Sequence, residues 1–302
     1  MKKLSVWLLT LALLLLLAGC GKSEAVKSAE GLINAIGEVT LDSNSAILKA
    51  ENAVAALSEE DMADLEGAET LQAARDSYDA LVIIDLIDNM GEVTLSSEDT
   101  LRAIRERYDA ASPEAQAAVT NYAVLQEAER QYQTLADAAA EALRIAGEDA
   151  LGRMRLEEDK VRDAVFYYPQ HFPKYIDDRT YALCYVGQDD TSVWMRIRYD
   201  YVGRDWVFWQ QLYYQIDGET DSRTFNYFDI ERDNEGYLVW EYIDYTAQAA
   251  DLRLFAAIAE SDEALIRFQG DGGKQYDLTV SQADKDAIRD ALALYMYLRS
   301  AQ

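Results

Sequence analysis

The chain of 302 residues carries 28 lysines and arginines against 55 aspartates and glutamates, a formal net charge of −27. A surface that acidic repels nucleic acid and anionic lipid headgroups, which argues against a DNA-binding role and against polybasic membrane attachment. Two cysteines and a single histidine leave no disulfide-dense framework and no zinc site built on two histidines.

The N-terminus reads Met1-Lys2-Lys3, then an apolar run from Leu4 to Leu17, then Leu17-Ala18-Gly19-Cys20. A basic end, a hydrophobic region and small residues at a cleavage point follow the order of an export signal. About 14 apolar residues in a helix reach roughly 20 Å, short of the roughly 30 Å hydrocarbon core, so the segment is expected to be a signal peptide over 1–19 and not a lasting span. Leu17-Ala18-Gly19-Cys20 resembles the lipobox of bacterial lipoproteins. The resemblance implies diacylation of the Cys20 thiol, cleavage before it, and attachment to the outer face of the cytoplasmic membrane. Two acyl chains suffice for stable anchoring where one does not. With Cys20 committed to lipid, Cys184 has no intramolecular partner, and in Tyr181-Ala-Leu-Cys-Tyr-Val186 it reads as a small buried residue. Small polar residues after the cysteine suggest a tether over 20–28.

Shifting residues 33–81 by 54 positions aligns them with 87–135 without a gap. Gly37-Glu38-Val39-Thr40-Leu41 recurs as Gly91-Glu92-Val93-Thr94-Leu95, and Leu71, Ala74 and Tyr78 recur as Leu125, Ala128 and Tyr132. Apolar residues at three and four spacing (Ala50, Val54, Leu57; Leu101, Ile104, Tyr108) predict helices, and Gly37 and Gly91 suit the left-handed residue that ends a preceding helix. Ser43, Ser58, Ser97 and Ser112 stand at N-cap positions, and Pro113 at a first helical position. Each copy, over 29–84 and 85–146, is expected to be a three-helix unit. No breaker separates Thr70 from Met90, so one helix is expected to join the two copies and stiffen them into a rod. The pattern Ile33-x-x-Ile36-Gly37-Glu38-Val39-Thr40-Leu41-x-Ser43, repeated from Ile87 with Met90 in place of isoleucine, resembles a helical repeat of Gram-positive surface proteins. That resemblance implies a spacer or protein-binding module without catalytic residues.

From Ala136 to about Val165 the chain is expected to stay helical until Pro169 and Pro173. Beyond Arg179 the period becomes two: Val193, Met195, Ile197, Tyr199 and Tyr201 alternate with Trp194, Arg196, Arg198 and Asp200. Further strand-like runs fall at 206–216, 222–228, 237–245, 263–269 and 275–280, with turns at Asp217-Gly218 and Asn234-Glu235-Gly236. Helices are expected over 247–260 and after Ser281. The fold class is therefore multi-domain: all-α tandem repeats, then an α+β domain over 147–302 whose antiparallel sheet of six or seven strands could close as a sandwich. Residues 205–208, 217–218, 239–241 and 266–270 resemble a domain of uncharacterised lipoproteins and envelope proteins, a resemblance that implies no activity.

Chemistry is sparse. His171, in Pro169-Gln-His-Phe-Pro173, is the one histidine available to a triad and reads as a surface loop residue. Gly270-Asp-Gly-Gly273 lacks the lysine of a phosphate loop, and neither Asp189-Asp190 nor Asp233-Asn234-Glu235-Gly236 has calcium-loop spacing, so no cofactor or metal is expected. Glu241 shares a strand face with Val239 and Ile243, and a carboxylate aimed at a core needs a cation. Arg267 is the expected partner in a structural bridge, with a buried functional site as the alternative. The aromatic residues Trp206, Trp209, Tyr213, Tyr227 and Trp240 are the candidate binding set, although core packing accounts for part of any such set. The expected function is non-enzymatic: a lipid-anchored spacer presenting a domain to an envelope polymer or protein. The alternative is a hydrolase of cell-wall glycan or peptide using sheet carboxylates.

Overall fold

A computed structural model describes residues 22–302. The apolar N-terminal run and Cys20 lie outside the described residues. The chain divides into two compact units, one ending at Asp137 and the other covering Ala138–Gln302.

In the first unit α1 (Glu24–Asn34), α2 (Asn44–Ala55) and α3 (Glu59–Asp64) precede α4 (Ala68–Asp88), and α5 (Glu98–Asp109) and α6 (Pro113–Ala118) precede α7 (Tyr122–Leu151), which runs on into the second unit. Of the expected tether over 20–28, residues 24–28 belong to α1. Ser23 caps α1 by accepting from the Val26 N–H, and Val26 is buried, so polar composition here marks the solvent side of a helix and not a free linker.

The 54-residue period is a packing period. Ile33, Ile47, Ala50, Leu71 and Ala74 form the first core; Ile87, Leu101, Ile104, Leu125 and Ala128, each 54 further on, form the second. Helix α4 serves both, with Leu71 and Ala74 in one core and Ala80, Ile83 and Ile87 in the other. Between copies one ion pair is inverted. Glu51 accepts from Arg75 Nε at 2.7 Å, whereas Arg105, at the position of Glu51, donates from Nε at 2.8 Å to Glu129, at the position of Arg75. Ser58 and Ser112 cap α3 and α6 as expected. Ser43 and Ser97 do not cap the helices they precede; their hydroxyls accept from the N–H of Thr40 and Thr94 and close the turn after Gly37 and Gly91, which have φ of +64° and +76°.

In the second unit α7 stops at Leu151, and the expected continuation to 165 is instead a hairpin of β1 (Met154–Asp159) and β2 (Ala164–Pro169). Only Met154 of β1 is buried, as befits an edge strand without an alternating pattern, so pairing with β2 overrides its local preference. Gly147 lies inside α7. A Cβ there would lie 2.2 Å from the Tyr297 side chain, so the glycine makes room for α9 (Gln282–Ser300).

Eight further strands follow: β3 (Tyr181–Gln188), β4 (Val193–Gly203), β5 (Trp209–Ile216), β6 (Glu219–Thr224), β7 (Glu231–Glu235), β8 (Leu238–Thr246), β9 (Ala264–Gly270) and β10 (Gln275–Thr279), with α8 (Ala249–Glu260) between β8 and β9. They form two antiparallel sheets, β1-β2-β3-β4-β8-β7 and β10-β9-β5-β6. Helix α9 packs on β2, β3 and β4 and against α8. One core joins Met195, Ile197 and Tyr199 of the larger sheet to Leu212, Ile266 and Phe268 of the smaller and to Phe255, Ile288 and Leu292 of the helices. Cys184 is buried in it, and burial pushes its thiol pKa up.

Candidate functional site

Glu241 is fully buried, as its strand face requires, but its partner is Arg232, whose Nε donates at 3.2 Å. Arg267 lies on the smaller sheet and holds Asp277 at 2.6 and 2.8 Å, which corrects the expected Glu241–Arg267 bridge. The register of the β7–β8 hairpin sets Arg232 directly opposite Glu241, a pairing that counting outward from the Asn234-Glu235-Gly236 turn recovers. Glu241 also accepts from the N–H groups of Val207, Phe208 and Trp209 at 2.7, 2.8 and 3.1 Å. This carboxylate therefore fixes the loop entering β5, including Phe208 at φ +54°. Left-handed backbone is strained for an aromatic residue, and three hydrogen bonds at one anion hold it there.

The five candidate aromatic residues do not share a surface. Trp209 is 0 % exposed and donates from Nε1 to the Glu241 carbonyl at 3.2 Å, so it is core and leaves the binding set. Trp206 stacks on Phe208, and Tyr227 lies under the Arg232 guanidinium at 4.0 Å. Tyr213 is exposed on the outer face of the smaller sheet beside Gln269 and Arg267. Trp240 belongs to the outer face of the larger sheet, in register with Val202 and Asp233.

That outer face holds a groove of about 700 Å³. Its floor comes from alternate residues of neighbouring strands: Phe166 of β2, Tyr185 of β3, Trp194, Arg196 and Arg198 of β4, and Tyr242 and Asp244 of β8. Asp244 is its electrostatic centre. Arg196 Nε donates at 2.7 Å to one carboxylate oxygen and Arg198 Nε at 2.8 Å to the other, while the Tyr185 hydroxyl donates at 2.9 Å. Rings of Phe172, Tyr185 and Tyr242 surround the Arg198 guanidinium at 5.7 to 6.0 Å. Such contacts hold a cation in a partly dry place. Burial works against the Arg198 charge, but Tyr181 and Asp244 outweigh it and hold its pKa above the ordinary value.

Beside the groove, the segment between β2 and β3 lays Phe172 on Tyr168, Tyr181 and Tyr185. Arg179 ties that segment to Asp284 of α9 at 2.6 Å; His171, 47 % exposed, lies 3.5 Å from the same carboxylate. In register with Tyr181 is Asp200, fully buried, with both carboxylate oxygens and the nearby Tyr181 hydroxyl lacking hydrogen-bond partners. Burial pushes the Asp200 pKa up to about 8, with Arg198 pulling the other way.

The alternation Trp194, Arg196, Arg198, Asp200 opposite an apolar face was the signal for this groove. It identifies a polar strand face without saying which strands flank it. Among the described residues no cluster of three histidines, cysteines or carboxylates could hold a metal ion, and no helix is long and apolar enough to cross a membrane. No family model, no curated protein and no solved structure matches the chain.

Proposed function

We propose that the protein is a lipid-anchored component of the bacterial cell envelope, held by acylated Cys20 on the outer face of the cytoplasmic membrane. Its helical repeats act as a spacer, and its C-terminal domain binds an envelope polymer or protein. The groove on the six-stranded sheet carries this reading. Aromatic walls and fixed polar groups in an open concavity suit recognition of an extended ligand.

The groove carboxylates favour binding over hydrolysis. Asp244 is engaged by two guanidinium groups and a hydroxyl, Glu231 accepts from Tyr242 at 2.6 Å, and Asp189 accepts from Thr191 and Ser192 of its own turn. General acid–base chemistry needs a carboxyl free to exchange a proton with substrate.

The full-length chain in detergent should be retained by isolated envelope material, and Trp194→Ala with Arg196→Ala should abolish retention. Equal retention of both proteins removes the groove from the reading. Mass spectrometry of the membrane-extracted N-terminus should find acylated Cys20, and Cys20→Ala should leave the protein unlipidated; an unmodified wild-type N-terminus removes the anchor.

A further inference from the structure

The groove holds a flat ring and unused cationic donors side by side. The Trp194 indole occupies the space above Gly187, where a Cβ would come within 2.4 Å of its Cε2 and Nε1. Phe166 meets the indole nearly edge-on at 6.2 Å. The ring is thus backed by β3 and braced by β2, and it lines the groove.

Arg196 is locked by two contacts, Nε to the Asp244 carboxylate and Nη2 to the Asp244 carbonyl at 3.0 Å, and among the described residues its Nη1 has no acceptor. Arg162, 77 % exposed at the rim, has its nearest carboxylate, Asp159, at 3.7 Å. The groove carboxylates are occupied by protein donors, whereas these two guanidinium groups retain free N–H edges. An arginine fixed by its own carboxylate donates from a defined direction, which suits a planar or tetrahedral oxyanion.

We infer that the groove binds an acidic saccharide, with a sugar ring on the Trp194 indole and its carboxylate or phosphate held by Arg196 and Arg162. This rests on the reading of the groove as the binding surface and names its ligand class. The net charge of −27 narrows the class further. A dense polyanion meets repulsion from the whole chain, while an isolated acidic group among neutral sugars meets the arginines at short range, inside the roughly 8 Å screening length of physiological salt.

Calorimetry of the full-length chain in detergent tests this with three probes: a short galacturonate oligosaccharide, its neutral methyl ester, and mannose 6-phosphate. At least one acidic probe should bind about tenfold or more tighter than the ester, and which one does so separates a carboxylate from a phosphate ligand. Arg196→Gln should remove about tenfold of the acidic preference, and Trp194→Ala should weaken every probe. Arg162→Ala changes only an exposed rim residue, so it reports even where Arg196→Gln disturbs the fold; it should lower the affinity of the acidic probe alone. Equal binding of acid and ester, no binding of any probe, or no loss in Arg162→Ala together with a folded Arg196→Gln would overturn the inference. Should envelope material retain the chain through Trp194 and Arg196 while no acidic saccharide binds, the ligand class is wrong and the binding groove stands. Should neither occur, both fall.

Discussion

Asp200→Asn should make the C-terminal unit more stable at alkaline pH. Asp200 is 0 % exposed and neither carboxylate oxygen has a hydrogen-bond partner, so ionising it puts into the sheet a charge that Arg198 offsets only in part. Its folded pKa of about 8 stands above the ordinary value of 3.8. Between these values the folded protein holds a proton that the unfolded chain releases. The stability that this proton contributes is complete below the unfolded value, declines as pH rises, and is gone above about 8. At roughly 1.36 kcal/mol per pKa unit the decline has a ceiling on the order of 6 kcal/mol, comparable with the whole stability of a small domain. Asparagine has nearly the shape of the neutral acid and cannot ionise. The variant should therefore match the wild type near pH 4 and exceed it by a few kcal/mol at pH 9. Urea unfolding followed by tryptophan fluorescence isolates the right unit, since apart from Trp7 in the expected signal peptide the tryptophans, Trp194, Trp206, Trp209 and Trp240, lie in Ala138–Gln302. Parallel loss of stability in both proteins from pH 4 to pH 9 would show that Asp200 is charged in the fold and would refute the reasoning.

The inverted ion pair predicts compensation. Glu51→Arg opposes Arg75 and should cost on the order of 1 kcal/mol, while Glu51→Arg with Arg75→Glu recreates the arrangement of the second repeat and should restore stability in a thermal double-mutant cycle. Glu241→Ala strands three N–H groups and the Arg232 charge and should cost roughly 3–5 kcal/mol, whereas Arg267→Ala should cost less than about 1 kcal/mol; similar losses would contradict the assignment of partners. Gly147→Ala should destabilise by roughly 1–3 kcal/mol although alanine favours helix, because its Cβ meets Tyr297; a raised melting temperature would mean that α9 moves aside freely.

Whatever depends on local spacing was legible in the chain. The 54-residue register predicted equivalent core positions such as Ile33 and Ile87 or Leu71 and Leu125, because helix periodicity and repeat identity are properties of neighbouring residues. Strand alternation likewise turned Glu241 and Cys184 inward. Which strands lie side by side follows from contacts between distant segments, and local spacing does not encode it. β1 and the start of β2 read as helix because their strand character comes from pairing with each other and with β3. Glu241 found Arg232, and not Arg267, because the partner of a buried charge follows from sheet register. The groove was illegible for the same reason. Tyr185, Arg196, Arg198 and Asp244 come from three strands whose order β3-β4-β8 skips over 34 residues of chain, Arg204–Tyr237, between the end of β4 and the beginning of β8, and only hydrogen bonding across that gap brings two arginines to one carboxylate.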